Sequence, residues 1–193
     1  YLSLRRLENE IIADQTKEAQ GQTAMLGLGA DFAGIKVSIG QFYGIEINDF
    51  AVTVARTALW IAESQMMKET EAIISIPLNF LPLKSYTNIV EGNALRIDWE
   101  TVVPKKELSY IMGNPPFVGY TYQSKEQKAD LAELKTGAGK NIDYVAGWYL
   151  KAAKMIYNTH IRAAFVSTNS IAQGEQVSSI WKLMEEKLHT HID

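Results

Sequence analysis

Apolar residues along this chain alternate between runs at helical spacing and short continuous runs. Leucine and isoleucine in the first thirteen residues recur at helical spacing, which predicts a helix over residues 1–13 with one buried face. Residues 14–34 are polar and then rich in glycine, so we expect a loop there. FYGIEI at residues 42–47 predicts a short buried strand, and helical spacing resumes behind Asn48 or Asp49, either of which is a suitable N-cap.

The rest of the chain continues this alternation. Apolar runs predict strands at residues 88–95, 108–117 and 163–170, while helical spacing predicts helices at 142–158 and 174–191. Strands separated by helices indicate a parallel sheet covered by helices. The sequence therefore predicts a doubly wound α/β fold.

Two stretches depart from the regular pattern. Prolines break the apolar clusters of residues 71–85, so we expect an irregular segment there. Residues 119–141 are polar, and we expect a loop with one short helix near 124–134, followed by a flexible Gly137–Gly139 stretch.

Composition narrows the class of protein. The chain has 193 residues, of which 47% are hydrophobic and 21% charged, as is typical of a folded soluble protein. No apolar run approaches the roughly 20 residues that span a bilayer, so we expect no membrane segment, and the cytoplasm is the default location. Cysteine is absent, which excludes disulfides and thiolate metal sites. The net charge of −3 supplies no overall basic field for nucleic acid.

Polar side chains follow the predicted strands at the point where ligands bind in open α/β sheets. The first strand ends at Glu46, the second at Asn93 and the third at Asn114. We expect these three side chains to converge on one rim of the sheet. Glu46 could bind the two hydroxyl groups of a ribose, or it could be a solvated acid. Asn93 could bind an adenine edge, or it could close the turn after Gly92.

Asn114-Pro115-Pro116-Phe117 is the most specific motif of the sequence. Pro115 forces Asn114 into an extended conformation, and neither proline has an N–H to donate. An amide and a carbonyl can therefore accept the two protons of a planar amine, while Phe117 stacks on its ring. The alternative is a proline turn that stops a strand and buries an aromatic side chain.

These motifs resemble a known family. GNPPF at residues 113–117 looks like the catalytic motif of class I, S-adenosylmethionine-dependent amino-methyltransferases, above all the adenine-N6 DNA methyltransferases. YGIEIND at 43–49 is similar to their ribose-binding motif, and EGNALRIDW at 91–99 to the motif that holds the cofactor adenine. DYVAGWYLKAAKMI at 143–156, followed by AAFVSTNSIAQGEQV at 163–177, resembles the helix–strand–helix after the catalytic loop of this family. VSTNSIAQGEQV at 166–177, with FYGIEI and GNALRIDW, is most similar to the single-chain restriction-and-modification enzymes. The resemblance covers nearly all of the chain apart from residues 14–34 and implies a Rossmann-like fold.

The resemblance implies a cofactor site for S-adenosyl-L-methionine. Glu46 would bind the cofactor ribose, and Ile47 would pack against its adenine. Asn93, with Ala94 beside it, would contact the adenine amino group. Many relatives have Asp at that position. We expect no metal, because no third ligand accompanies the two histidines near the end of the chain.

The resemblance also implies roles for the catalytic motif. Asn114 and Pro115 would hold the target amine, and Phe117 would stack on an adenine flipped out of double-stranded DNA. Two acceptors that draw the amine protons out of the ring plane restore the nitrogen lone pair for attack on the methyl group. Catalysis then depends on positioning and electrostatics. Four lysines follow the motif and either contact DNA phosphates or form a solvated face: Lys125, Lys128, Lys135 and Lys140.

The chain begins at Tyr1 without the family's glycine-rich cofactor motif. We therefore expect residues 1–193 to form a partial catalytic domain that lacks the first central strand and the target-recognition domain, and that is inactive on its own. Two other functions stay open. The same motif could methylate protein glutamine or RNA, or the chain could be a non-catalytic structural fragment.

Overall fold

The computed structural model describes residues 1–20, 34–75, 77–78, 88–134 and 141–191. The chain has α/β structure and divides into two compact units, residues 1–91 and 92–193. None of the helices within the described residues is long and apolar enough to cross a membrane.

The first unit contains two helices and a two-stranded parallel sheet. It consists of α1 (Leu2–Gln20), β1 (Tyr43–Glu46), α2 (Asp49–Ile74) and β2 (Asn88–Glu91). Glu46 is in register with Glu91, so the two strands end side by side. The strand predictions at 42–47 and 88–95 are confirmed with shorter bounds.

The first helix is longer than the sequence pattern predicts. We expected a loop from residue 14, but α1 continues to Gln20, so that prediction is wrong for residues 14–20. Local contacts support the extension: Lys17 pairs with Asp14 at 3.6 Å, and the Thr16 hydroxyl donates to the Ile12 carbonyl at 2.7 Å. Residues 21–33 of the predicted loop lie outside the described residues.

Asn48 begins the second helix as its N-cap, because its side chain accepts a hydrogen bond from the Ala51 N–H at 2.9 Å. The helix ends where Ser75 takes a left-handed conformation and donates its N–H to the Glu71 carbonyl at 2.8 Å. The irregular segment predicted for 71–85 is therefore helical up to Ile74. Most of the remainder lies outside the described residues.

The second unit repeats the strand–helix order. It consists of β3 (Tyr110–Gly113), α3 (Lys125–Glu133), α4 (Ala146–Ile156), β4 (Arg162–Phe165) and α5 (Gln176–Leu188). β3 and β4 pair in parallel, with Gly113 opposite Phe165. Each of these elements lies within or beside its predicted range, including the short helix expected near 124–134. The predicted Gly137–Gly139 stretch, Lys135 and Lys140 lie outside the described residues.

Helix α4 lies at the centre of this unit. Its buried face packs with α5 and with residues that precede α4 and α5. The cluster consists of Ile142, Val145, Ala146, Leu150, Ala153, Ile171, Ile180 and Met184. Gly147 allows a close approach, because a Cβ there would lie 2.9 Å from side-chain carbons of both Leu95 and Leu131. Helix α3 and the segment that follows β2 therefore both pack closely against α4.

The predicted α/β class with parallel strands is confirmed. The strands form two separate two-stranded sheets within the described residues, β1 with β2 and β3 with β4. A single doubly wound, Rossmann-like sheet stays a prediction.

Candidate functional site

The Asn114–Phe117 motif follows directly on β3. Gly113, the last residue of the strand, accepts a hydrogen bond from the Val166 N–H at 3.0 Å. Beyond it the chain leaves regular structure. Asn114 is exposed, Pro115 is buried, and 48% of the Phe117 surface is accessible. A buried proline therefore anchors the motif, while an amide and an aromatic face are open to a ligand.

Asp143 fixes the segment that follows this motif. Its Oδ1 accepts the Tyr120 N–H at 3.1 Å. Its Oδ2 accepts from the Ser170 hydroxyl at 2.7 Å and from the Gln176 amide at 2.8 Å. The carboxylate thus connects the segment after β3 with the segment after β4 and with the start of α5.

The segment after β2 carries the predicted adenine contact. Gly92 has a φ of 150°, a conformation that favours glycine. Asn93 follows, and its amide is engaged at both ends: Nδ2 donates to Asp130 at 2.8 Å, and Oδ1 accepts the Leu95 N–H at 2.9 Å. The Ala94 carbonyl accepts from the Trp99 indole at 2.9 Å. Side chains elsewhere in the unit therefore hold this segment in place.

Lys151 of α4 supports the same segment from the helix side. Its ammonium group donates to the carbonyls of Ala94 at 2.8 Å and Leu95 at 2.9 Å, and to that of Ile97. It also lies 5.5 Å from the centre of the Trp99 ring. Burial lowers the pKa of Lys151 to about 8.

Asp130 of α3 is the most buried acid of this cluster, with 2% of its surface exposed. Besides Asn93, it accepts from the Tyr144 hydroxyl and from the Arg96 guanidinium, both at 2.6 Å. Burial by itself would raise the pKa of Asp130, but hydrogen bonds from Tyr144, Arg96 and Asn93 outweigh it and hold the pKa below its usual value. Desolvation and the bond to Asp130 raise the pKa of Tyr144 to about 12, so the hydroxyl stays a donor.

Tyr144 connects this cluster with the Asn114–Phe117 motif. Its side chain binds Asp130, and its backbone N–H donates to the Val118 carbonyl at 2.9 Å. Val118 follows Phe117 directly. Within the second unit, hydrogen bonds therefore run from Asn93 through Asp130 and Tyr144 to the end of the Asn114–Phe117 motif.

Glu46 ends β1 in the first unit. Its Oε1 accepts the Asn48 N–H at 3.0 Å, which fixes the direction of the carboxylate. Ile47, the next residue, is 68% exposed. The side chains are arranged as a carboxylate beside an accessible apolar group, which suits a sugar hydroxyl and a flat ring. The convergence of Glu46 with Asn93 and Asn114 stays a prediction.

All of residues 1–193 match the family model of the MmeI DNA-methyltransferase domain. The chain belongs to this family. The match confirms the resemblance to DNA methyltransferases of single-chain restriction-and-modification enzymes.

Two relatives place the MmeI-type domain within larger proteins. DNA methyltransferase A of Bacillus subtilis (strain 168) is 40% identical over 186 residues, which are 94% of this chain and 20% of the relative. The structure of the type IIL restriction-modification enzyme MmeI in complex with DNA is similar with a TM-score of 0.80 and 38% identity, over 95% of this chain and 25% of that one. The chain thus spans about a fifth to a quarter of the proteins it matches.

Sequence reasoning missed the groups that hold the MmeI-type motifs in place. Asp130, Asp143 and Lys151 were not singled out, because a charged residue in a polar or amphipathic stretch is usually solvated. Only their burial and partners distinguish them. One signal was available: Asp143 and Lys151 both lie in the DYVAGWYLKAAKMI stretch that resembles the family.

Proposed function

We propose that this chain is the catalytic part of a DNA adenine-N6 methyltransferase in a restriction-modification enzyme. The methyl donor is S-adenosyl-L-methionine, and the acceptor is an adenine flipped out of double-stranded DNA. The observation that carries the proposal is the Asn114–Phe117 motif at the carboxyl end of β3, with an accessible amide and a half-exposed ring. Membership in a DNA-methyltransferase family, and a relative solved in complex with DNA, support DNA as the substrate.

In this proposal the motif prepares the target nitrogen. Asn114 Oδ1 and the Pro115 carbonyl accept the two amine protons, which pulls them out of the ring plane and returns the lone pair to N6. Phe117 stacks on the base and keeps it from swinging back into the duplex. When bound, the cofactor supplies an electrophilic sulfonium methyl group. N6 would gain that methyl group as the bond between the methyl and the sulfonium sulfur breaks, S-adenosylhomocysteine would leave, and N6 would give up one proton to solvent.

The cofactor contacts come from the other two strand ends. Glu46 binds the ribose hydroxyls, since its Oε1 is already oriented by the Asn48 N–H. Ile47 packs against the adenine, for which its exposed side chain is suited. Asn93 accepts from the adenine amino group, and Ala94 lies beside it. The Asn93 oxygen suits this role because the Leu95 N–H uses only one of its two lone pairs.

The proposal extends to the whole domain. Residues 1–193 form part of a Rossmann-like class I methyltransferase domain, and a target-recognition domain of the full-length protein reads the DNA sequence. Cofactor binding and methyl transfer are therefore properties to be measured on the full-length protein.

The decisive experiment identifies the methylated product. The full-length protein is incubated with S-adenosylmethionine carrying a labelled methyl group and with duplex DNA, RNA or protein, and each product is digested and separated. We expect N6-methyladenine from DNA. Label in RNA or in protein glutamine instead would replace this proposal with one of its alternatives, and label in cytosine would refute adenine as the target.

The catalytic motif is tested by Asn114→Ala. Loss of one of two acceptors at the amine should slow single-turnover methyl transfer on the order of 10²-fold, whereas cofactor affinity should change little. Asn114→Asp keeps an acceptor oxygen at the same place and is the matched control, which should retain more activity. Transfer by the alanine variant at the wild-type rate would refute the role of Asn114.

A further inference from the structure

The Asn93 amide is held in a single orientation. An asparagine can present either its oxygen or its NH2 group to a ligand, and its hydrogen-bond partners decide which. Here Nδ2 lies 2.8 Å from Asp130 Oδ2, and Oδ1 lies 2.9 Å from the Leu95 nitrogen. A carboxylate can only accept and a backbone N–H can only donate. Both partners therefore require the same orientation of the amide.

Asp130 is built to remain an acceptor. It is 2% exposed, and two further donors, Tyr144 and Arg96, bind its oxygens at 2.6 Å. With the carboxylate ionised, a flipped Asn93 amide would bring two acceptor oxygens together in a buried place, which is costly. The amide oxygen of Asn93 therefore faces away from Asp130, and its second lone pair is available.

We propose that Asp130 is a positioning residue for the cofactor: by holding Asn93 Nδ2, it makes Asn93 Oδ1 an acceptor for the 6-amino group of the cofactor adenine. This inference rests on the proposed role of Asn93. It assigns the preference for a 6-amino over a 6-oxo purine to a residue that does not touch the ligand. Without Asp130, only the Leu95 N–H would hold this orientation, and an Asn93 amide that gave up that one bond could turn its NH2 group to a 6-oxo purine instead.

The test compares two ligands that differ at position 6 of the purine and in the proton that the 6-oxo form carries on N1. S-adenosylhomocysteine and S-inosylhomocysteine are titrated into the full-length protein by calorimetry, so that the readout is binding. The wild-type protein should prefer the amino ligand by roughly tenfold or more. Asp130→Asn is nearly isosteric but can present an NH2 group to Asn93, so this preference should fall by roughly tenfold.

Two further variants separate orientation from general damage. Tyr144→Phe removes another donor to the same Asp130 oxygen and leaves the Asn93 contact, so the preference should stay within about twofold of wild type. Asn93→Asp alone places two carboxylates at hydrogen-bond distance and should weaken both ligands. Asn93→Asp combined with Asp130→Asn restores a donor–acceptor pair with the acceptor at position 93, so the preference for the amino ligand should return.

The outcomes are distinguishable. If Asp130→Asn weakens both ligands equally, or if Tyr144→Phe lowers the preference as much, Asp130 is a general structural residue and the inference is wrong. If the wild-type protein binds S-adenosylhomocysteine and S-inosylhomocysteine equally well, the proposed role of Asn93 is wrong. If it binds neither ligand, the proposed function itself is in error.

Discussion

At the residue scale, the candidate site pairs exposed ligand groups with buried groups that fix them. Asn114 and Phe117 are accessible, and Pro115 between them is buried. Asn93 is partly exposed, whereas Asp130, which accepts a hydrogen bond from its amide, is buried. In the proposed function such support matters, because methyl transfer depends on geometry and small displacements of the proposed acceptors would reduce the rate strongly.

Phe117 should stabilise the flipped base by stacking. Phe117→Ala should weaken capture of the extrahelical base by about 1–3 kcal/mol, because no other ring takes its place directly after the two prolines. Phe117→Trp keeps an aromatic face and is the control. Fluorescence of 2-aminopurine at the target position reports flipping, and an unchanged signal in the alanine variant would exclude the stacking role.

Lys151 should make stability depend on pH above neutrality. Its pKa is about 8 in the folded protein and about 10.4 in an unfolded chain. Between these values the unfolded chain binds more protons, so the free energy of unfolding should rise with pH through this window. Below pH 8 both states are protonated and the contribution is constant.

Lys151→Met removes this rise, since methionine fills similar space without a titrating group. Denaturant unfolding of both proteins at pH 7, 8, 9 and 10 measures it. We expect the wild-type protein to gain stability relative to the variant from pH 8 to pH 10. If the free energies of unfolding of the two proteins changed in parallel with pH, Lys151 would titrate at its ordinary pKa.

At the scale of secondary structure, a buried polar group joins the two helices of the first unit. Arg5 of α1 is fully buried, and its Nη2 donates to the hydroxyl of Thr70 in α2 at 2.8 Å. The same hydroxyl donates to Asn9 Oδ1 at 2.7 Å. One hydroxyl thus satisfies polar groups on two successive turns of α1.

Thr70→Val keeps the shape of the side chain but removes the hydroxyl. Arg5 and Asn9 each lose a partner while they stay buried, so the variant should lose about 1–3 kcal/mol of stability. Hydrogen exchange of the α1 and α2 amides measures the loss locally. Thr70→Ser retains the hydroxyl and should preserve most of the protection; an equal loss in both variants would assign the effect to packing.

The elements show what sequence patterns can predict. The strand end at Glu46 was predicted, and the third strand was expected to end at Asn114, one residue beyond Gly113, because short apolar runs stop at polar residues or prolines. A short helix was expected near 124–134, and in the structure Ser124 and Gln127 form a capping box at the start of α3. The extension of α1 was missed because its polar residues carry no apolar periodicity. The roles of Asp130 and Asp143 could not be predicted, since their partners are 14–37 residues away in the chain.

At the scale of the whole molecule, charge is divided unevenly. The first unit has seven basic and eleven acidic residues, and the second has twelve and eleven. These 193 residues supply no overall basic field, so their own attraction to DNA phosphates has to come from local groups. In the second unit, α3 carries the exposed Lys125 and Lys128 shortly after the Asn114–Phe117 motif.

Lys125 and Lys128 should therefore contribute to the salt dependence of DNA binding. Each lysine that neutralises a phosphate adds about 0.9 to the slope of log K against log salt concentration, so Lys125→Gln with Lys128→Gln should reduce the slope by about 2. The matched control is Lys182→Gln with Lys187→Gln, on the exposed surface of α5, which should leave the slope unchanged. Titrations of duplex DNA with the full-length proteins at several salt concentrations measure it. Equal slopes in both double variants and the wild-type protein would mean that the α3 lysines form a solvated face with Glu126 and Glu133.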